Sequence, residues 1–175
     1  MTLAFDNTPL SHFARAGHLV ELERITGDQR RVTTQAVFDE IARGVDEHSS
    51  LTSVLDLEWL EIVAGGSIEE LQAFVDYARR LGSGERNIGE ASVLAWAETN
   101  SAIAIVDERA AANYGRERGV EVHGTLWLVA EAYRANHLDE NGAAAMVDAL
   151  RDAEAWFPCS GDTFFEWARA EGLLP

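Results

Sequence analysis

Two aspartates stand where strand-like apolar runs end. Asp6 closes the run from Leu3, and Asp107 closes the run from Ala102. Two glutamates sit on helical patterns: Glu40 follows Val37 and Phe38, and Glu90 heads the apolar run Ala91–Ala97. In an open parallel sheet, ligands bind beyond the carboxyl ends of the strands, so acids at those ends are weighed first. Four converging carboxylates would bind a hard divalent cation, Mg²⁺ or Mn²⁺, through oxygen. Such ions activate water and stabilise the charge that develops in phosphodiester hydrolysis. Each acid also has a structural use. An acid after a strand can cap the next helix, and with 30 Asp and Glu in the chain the helical pair can equally be solvated surface.

The elements that must position these acids alternate between strand and helix, which predicts an α/β fold with a mainly parallel sheet. Strands are expected at Leu3–Asp6, Arg31–Thr33, Leu60–Ala64, Ala102–Asp107 and Val120–His123. Pro9 suits a first helical turn capped by Asn7 or Thr8, running to Ala16, and a second helical piece covers His18–Ile25. Thr34 can cap a helix over Gln35–Arg43. Ser67 and Glu70 form a capping-box pattern ahead of a helix whose apolar face reads Leu71, Phe74, Val75 and Ala78. Further helices are expected over Gly89–Glu98, Arg109–Arg118, Leu126–Asn136, Asp139–Trp156 and Thr163–Gly172. The 175 residues suit one domain, with a helical extension from about residue 156 to residue 175.

Composition narrows the chemistry. The 14 basic residues are all arginine, so a Schiff base, a P-loop lysine and a lysine base are excluded. One cysteine, Cys159, leaves no internal disulfide and no cysteine-based zinc site. A net charge of −16 argues against bulk electrostatic capture of nucleic acid. The N-terminus has neither a basic nor an apolar leader region, and no apolar run spans a membrane, so a cytoplasmic protein is expected.

The ordered set Phe5–Leu10, Ala36–Glu40, Leu81–Glu85, Gly89–Ala91, Val106–Ala111 and Gly119–Leu126 resembles the PIN-domain proteins. Within them it is similar to the uncharacterised PIN-like branch related to VapC-type toxins, from Asp6 to about Leu150. The resemblance implies a three-layer α/β/α sandwich with a short parallel sheet. It implies a Mg²⁺- or Mn²⁺-dependent ribonuclease, with metal-activated water as the attacking group and no protein nucleophile. Asp6, Glu40, Glu90 and Asp107 match the family's acidic positions, and Thr8 matches a small polar position near the metal. Glu85 competes with Glu90 for the third acid, and Glu108 stands where the branch often has a second Asp. Partners implied are RNA and, for a toxin, a basic antitoxin. A PIN-like module that binds protein or RNA without catalysis is the alternative, and a nuclease acting on DNA is a third.

Other residues offer less. His12, His18, His48, His123 and His137 lack zinc-site spacing; His123 suits a packing or hydrogen-bonded role. Arg79, Arg80, Arg86, Arg109, Arg116 and Arg118 can meet RNA phosphates or pair with nearby acids. Trp96 and Trp127 read as core, while Trp156 and Trp167 suit a dimer or partner surface. From Gly44 to Ala78 there is no arginine among many acids, which suits either a solvated face or the docking of a basic partner.

Overall fold

The computed structural model describes residues 1–82 and 84–175, and of Glu85 and Arg86 the backbone alone. In chain order the elements are β1 (Thr2–Phe5), α1 (Asn7–Arg15), α2 (Leu19–Thr26), β2 (Arg30–Thr34), α3 (Gln35–Gly44), α4 (Thr52–Leu55), β3 (Glu61–Val63), α5 (Ile68–Leu81), α6 (Glu85–Asn100), β4 (Ile103–Ile105), α7 (Arg109–Glu117), β5 (Val122–His123), α8 (Thr125–Arg134), α9 (Glu140–Asp152) and α10 (Phe164–Ala170). Short 3₁₀ turns precede α4 and α10. The chain forms two compact units. One holds residues 1–11 and 29–124, and the other residues 12–28 and 125–175. Among the described residues, no helix is long and apolar enough to cross a membrane.

The first unit is built on five parallel strands in the order β3-β2-β1-β4-β5. This is the expected α/β class, consistent with the implied sandwich. β1 is central, with Ala4 paired to Val32 on one side and to Ala104 on the other. Its Leu3, Ala4 and Phe5 are buried, as are Ile103, Ala104 and Ile105 of β4. Such continuous apolar runs are what a parallel strand covered on both faces requires. The Thr33 hydroxyl, fully buried, donates to the Phe5 carbonyl at 2.9 Å and ties β2 to the end of β1.

Three helices of this unit are joined by a polar network that the hydrophobic pattern does not reveal. Tyr77 of α5 is fully buried, and its hydroxyl donates to Glu98 Oε2 of α6 at 2.7 Å. Arg118, just after α7, clasps the same carboxylate with two 2.8 Å bonds from Nε and Nη2. Its guanidinium also lies 5.0 Å from the centre of the Tyr77 ring. Burial and the Glu98 charge push the Tyr77 hydroxyl pKa up, and the Arg118 bonds hold Glu98 below the ordinary carboxylate range. This network turns α5 differently from expectation. Ala73 and Tyr77 face inward, while Leu71 is 62% exposed. Ser67 does cap α5, accepting from the Glu70 N–H at 3.0 Å.

The second unit is helical, with Leu22, Ile25, Val129, Val147, Leu150 and Phe164 buried in it. The Thr26 hydroxyl returns to the Leu22 carbonyl at 2.7 Å, and Arg24 donates to the His137 carbonyl at 2.6 Å. α9 stops at Asp152, four residues before the expected end, and Trp156 lies beyond it with 86% of its surface exposed. Trp127 is buried here, and Trp96 is buried in the first unit, as core residues.

Candidate active site

From β1 the chain crosses to β2 and β3 on one side, then returns to β4 on the other. β1 and β4 are nonetheless hydrogen-bonded neighbours. Crossovers that diverge from two adjacent strands leave a crevice at the carboxyl ends of those strands. Asp6 follows β1 directly, and Asp107 lies two residues beyond β4. The Asp6 N–H donates to the Ile105 carbonyl at 3.0 Å, and the Val106 N–H to the His123 carbonyl at 2.8 Å. Backbone pairing thus runs past both strand ends and holds the two aspartates at the mouth of the crevice.

Asp6 is only 3% exposed. Burial pushes its carboxyl pKa up from the ordinary 3.8 to about 7, and the negative charges of Glu40 and Asp107 push the same way. Backbone N–H groups of Asn7 and Thr8 oppose the shift; the Thr8 N–H lies 3.4 Å from Asp6 Oδ2. A carboxylate buried among like charges is costly to ionise unless a positive charge joins it.

Glu40 arrives from α3. Its Oε1 accepts from Asn7 Nδ2 at 2.8 Å, and the Ser11 hydroxyl donates to Asn7 Oδ1 at 2.6 Å. Asn7, expected as a helix cap, is instead the first residue of α1, and its amide holds Glu40 in place. The Asn7–Ser11 spacing of four carries this signal, but only once the helix is known to begin at Asn7.

Two glycines make room for the acids. α6 begins at Glu85, earlier than expected, so Gly89 lies inside it rather than at its start. A Cβ on Gly89 would stand 2.8 Å from Glu40 Oε2 and 3.6 Å from Asp6 Oδ1. A Cβ on Gly124 would stand 2.7 Å from Asp107 Oδ1. Gly89→Ala should therefore displace the Glu40 carboxylate and break its bond to Asn7. The expected result is about a tenfold loss of the metal-dependent hydrolysis that the resemblance implies. The midpoint of urea unfolding should barely move, because Ala in a helix recovers up to ~1 kcal/mol over Gly. Parallel rate and unfolding measurements on the variant check this.

The structure gives the remaining candidates the following surroundings. Glu90 follows Gly89 on α6 and is 7% exposed. Glu108 is the N-cap of α7, accepting from the Ala111 N–H at 2.7 Å. The Glu85 side chain lies outside the described residues, as does that of Arg86. His123 Nε2 sits 3.0 Å from Glu121 Oε1. Arg116 donates to the Val122 carbonyl, Arg118 is held by Glu98, and Arg80 lies 5.7 Å from the Tyr114 ring centre. Each of these three arginines has a partner within the fold, and Arg80 and Arg116 remain exposed.

Asp6, Glu40 and Asp107 thus share one neighbourhood. Among the described residues, no group of three or more His, Cys, Asp or Glu side chains stands close enough to hold a single ion. Carboxylates gathered in one crevice repel one another, which favours a spacing wider than a coordination sphere. The donor set still fits a hard divalent cation. It is all oxygen, one member is buried with a raised pKa, and Gly89 and Gly124 leave room beside the Glu40 and Asp107 carboxylates.

Neither a curated protein nor a solved structure matches the chain. The sequence does match the PIN domain family over residues 2–160. PIN domains are generally nucleases, they act on nucleic acids, and they typically use divalent metals. A crevice at a sheet switch point with aspartates at both central strand ends agrees with that match, and the chain belongs to the PIN-domain family.

Proposed function

We propose that this PIN domain is a Mg²⁺- or Mn²⁺-dependent endoribonuclease of the VapC-like type, the toxin of a toxin–antitoxin pair. The observation that supports it most is the burial of Asp6 beside the charges of Glu40 and Asp107 at the switch point. Asp6, Asp107 and Glu40 would hold the ion, with Glu90 as the fourth acid and Thr8 beside them. A bound divalent cation supplies Lewis-acid activation of the phosphate and of water. The chain's own residues do the positioning. Backbone pairing fixes Asp6 and Asp107, Asn7 fixes Glu40, and the Gly89 and Gly124 clearings keep the carboxylate oxygens accessible. Outside this crevice, the arginine-free acidic stretch from Gly44 to Ala78 suits a basic antitoxin as partner. Trp156, exposed beyond α9, suits a contact with a second copy.

The test is RNA cleavage in Mn²⁺ by the wild-type chain and by Asp107→Asn. Loss of about 100-fold or more in the variant, with unchanged circular dichroism, is expected. Undiminished cleavage would remove Asp107 from the site. The wide spacing of the acids favours a second reading, a binding module without catalysis. Calorimetry distinguishes the two, because a pure binding module takes up no Mn²⁺ at millimolar concentration.

A further inference from the structure

A cleft of about 350 Å³ opens in the first unit where β2 and β3 end. This is near the lower bound for small-molecule sites, about 300 Å³. Its walls are mainly apolar, with Val63 from β3, Phe74 from α5 and Ala95 from α6. Two hydroxyls in its lining form a relay in which Thr34 donates to Ser92. Thr34 and Ser92 lie 2.6 Å apart, and Ser92 donates on to the Gly89 carbonyl at 2.7 Å. That bond leads directly to the acidic crevice. Gly89 is the residue against which Glu40 and Asp6 pack, and Ser92 lies about 4.5 Å further along the helix axis. The cleft and the crevice therefore meet the same helix, α6, on adjacent turns.

Three polar side chains line the cleft besides the two hydroxyls: Gln35, whose amide donates to Asp39, Ser67, which caps α5, and the carboxylate of Glu70, half-buried and folded over Gly65, the one charged group among them. A Cβ on Gly65 would stand 2.5 Å from Glu70 Oε1, so only glycine lets the carboxylate lie there. An ionised carboxylate accepts hydrogen bonds and donates none. It therefore selects a planar group that presents two adjacent N–H donors. Guanine does so through N1–H and the 2-amino group. Adenine and cytosine place a ring acceptor beside their amino group, and uracil flanks its N–H with two carbonyls. Unpaired RNA bases are held by stacking on an aromatic ring plus such edge contacts, and Phe74 provides the ring.

We infer that this cleft is the subsite for an unpaired guanine in the strand that the acidic crevice cuts, an inference that rests on the nuclease reading above. The first experiment avoids catalysis. GMP, AMP, CMP and UMP are titrated to millimolar concentration into the full chain in EDTA, followed by amide NMR shifts. GMP should bind at least about tenfold more tightly than the others. Glu70→Gln should erase that preference while keeping the backbone cap from Ser67, and Phe74→Leu should weaken GMP about tenfold. Equal affinity for the four nucleotides, or a guanine preference that survives Glu70→Gln, overturns the subsite. The second experiment maps cut sites in an unstructured RNA with Mn²⁺, and cuts should fall beside guanines. Cutting with no guanine bias overturns the subsite and leaves the nuclease reading intact. GMP binding that depends on Glu70, in a chain that cuts no RNA, supports the base site and overturns the nuclease reading instead.

Discussion

Asp6→Asn is expected to abolish Mn²⁺-dependent RNA cleavage and to make the chain more stable at pH 8. The two effects have one cause. Asp6 is buried at the crevice mouth, and its carboxyl pKa rises from 3.8 to about 7 because burial, Glu40 and Asp107 all penalise its charge. A folded-state pKa above the unfolded one means that the folded chain binds more protons between those two values. Stability therefore falls as pH rises from about 4 to about 7, and the cost is fully present above that range. Three pKa units correspond to about 4 kcal/mol, taken as an upper figure. The neutral amide of Asn removes this cost, so the variant should unfold at higher urea at pH 8 and show a flatter profile between pH 4 and pH 7. The same change removes a charge that would hold a cation, so cleavage should fall by about 1,000-fold. Mn²⁺ should raise the melting temperature of the wild type and not that of Asp6→Asn, since an ion that binds only the folded state stabilises it. An Asp6→Asn variant less stable than wild type at pH 8 would show that Asp6 is a structural residue.

Glu98→Ala should have the opposite signature, a loss of about 3 kcal/mol at pH 8. Removing this carboxylate leaves the fully buried Tyr77 hydroxyl without its acceptor and Arg118 without its clasp. Glu98 is partly solvated, which keeps the figure below that of a deeply buried pair. The pH dependence also reverses. Its folded-state pKa lies below the ordinary 4.5, so its contribution is present above that value and is lost as pH falls through the folded pKa. Urea unfolding at pH 8 and at acid pH checks both points. The gap between wild type and Glu98→Gln should be open at pH 8 and should close in acid. A constant gap would mean that packing, rather than the ion pair, carries the effect. Glu98 lies near the C-terminal end of α6, while Gly89 and the candidate Glu90 lie in its first half.

How well each feature could be read from the sequence depended on how locally it is encoded. Leu3–Phe5 and Ile103–Ile105 are apolar runs followed by an acid, and both became central strands with Asp6 and Asp107 beyond their ends. The caps at Thr34 and Ser67 were visible because a hydroxyl needs only the next turn of its own helix. The inward face of α5 was not visible. Ala73 and Tyr77 turn inward because Tyr77 meets Glu98, a residue 21 positions away. Asn7 reads as a cap in the sequence, because the partner of its amide, Glu40, lies 33 residues further along. Gly89 looked like the start of α6 because glycine disfavours a helix interior. It is required there because the Glu40 carboxylate lies 2.8 Å from where a Cβ would stand.

By itself, the sequence determined the alternation of strand and helix, the apolar runs of β1 and β4, the absence of lysine and of an internal disulfide, and the presence of acids where strands end. These are properties of short segments, set by periodicity, capping and residue type. Only the tertiary structure decided the order β3-β2-β1-β4-β5, which makes β1 and β4 neighbours although nearly 100 residues separate them. Strand pairing over such distances is chosen by the packing of the whole sheet, because the backbone bonds of any two parallel strands are alike. That choice puts the switch point between Asp6 and Asp107, and so turns two acids at strand ends into one candidate site.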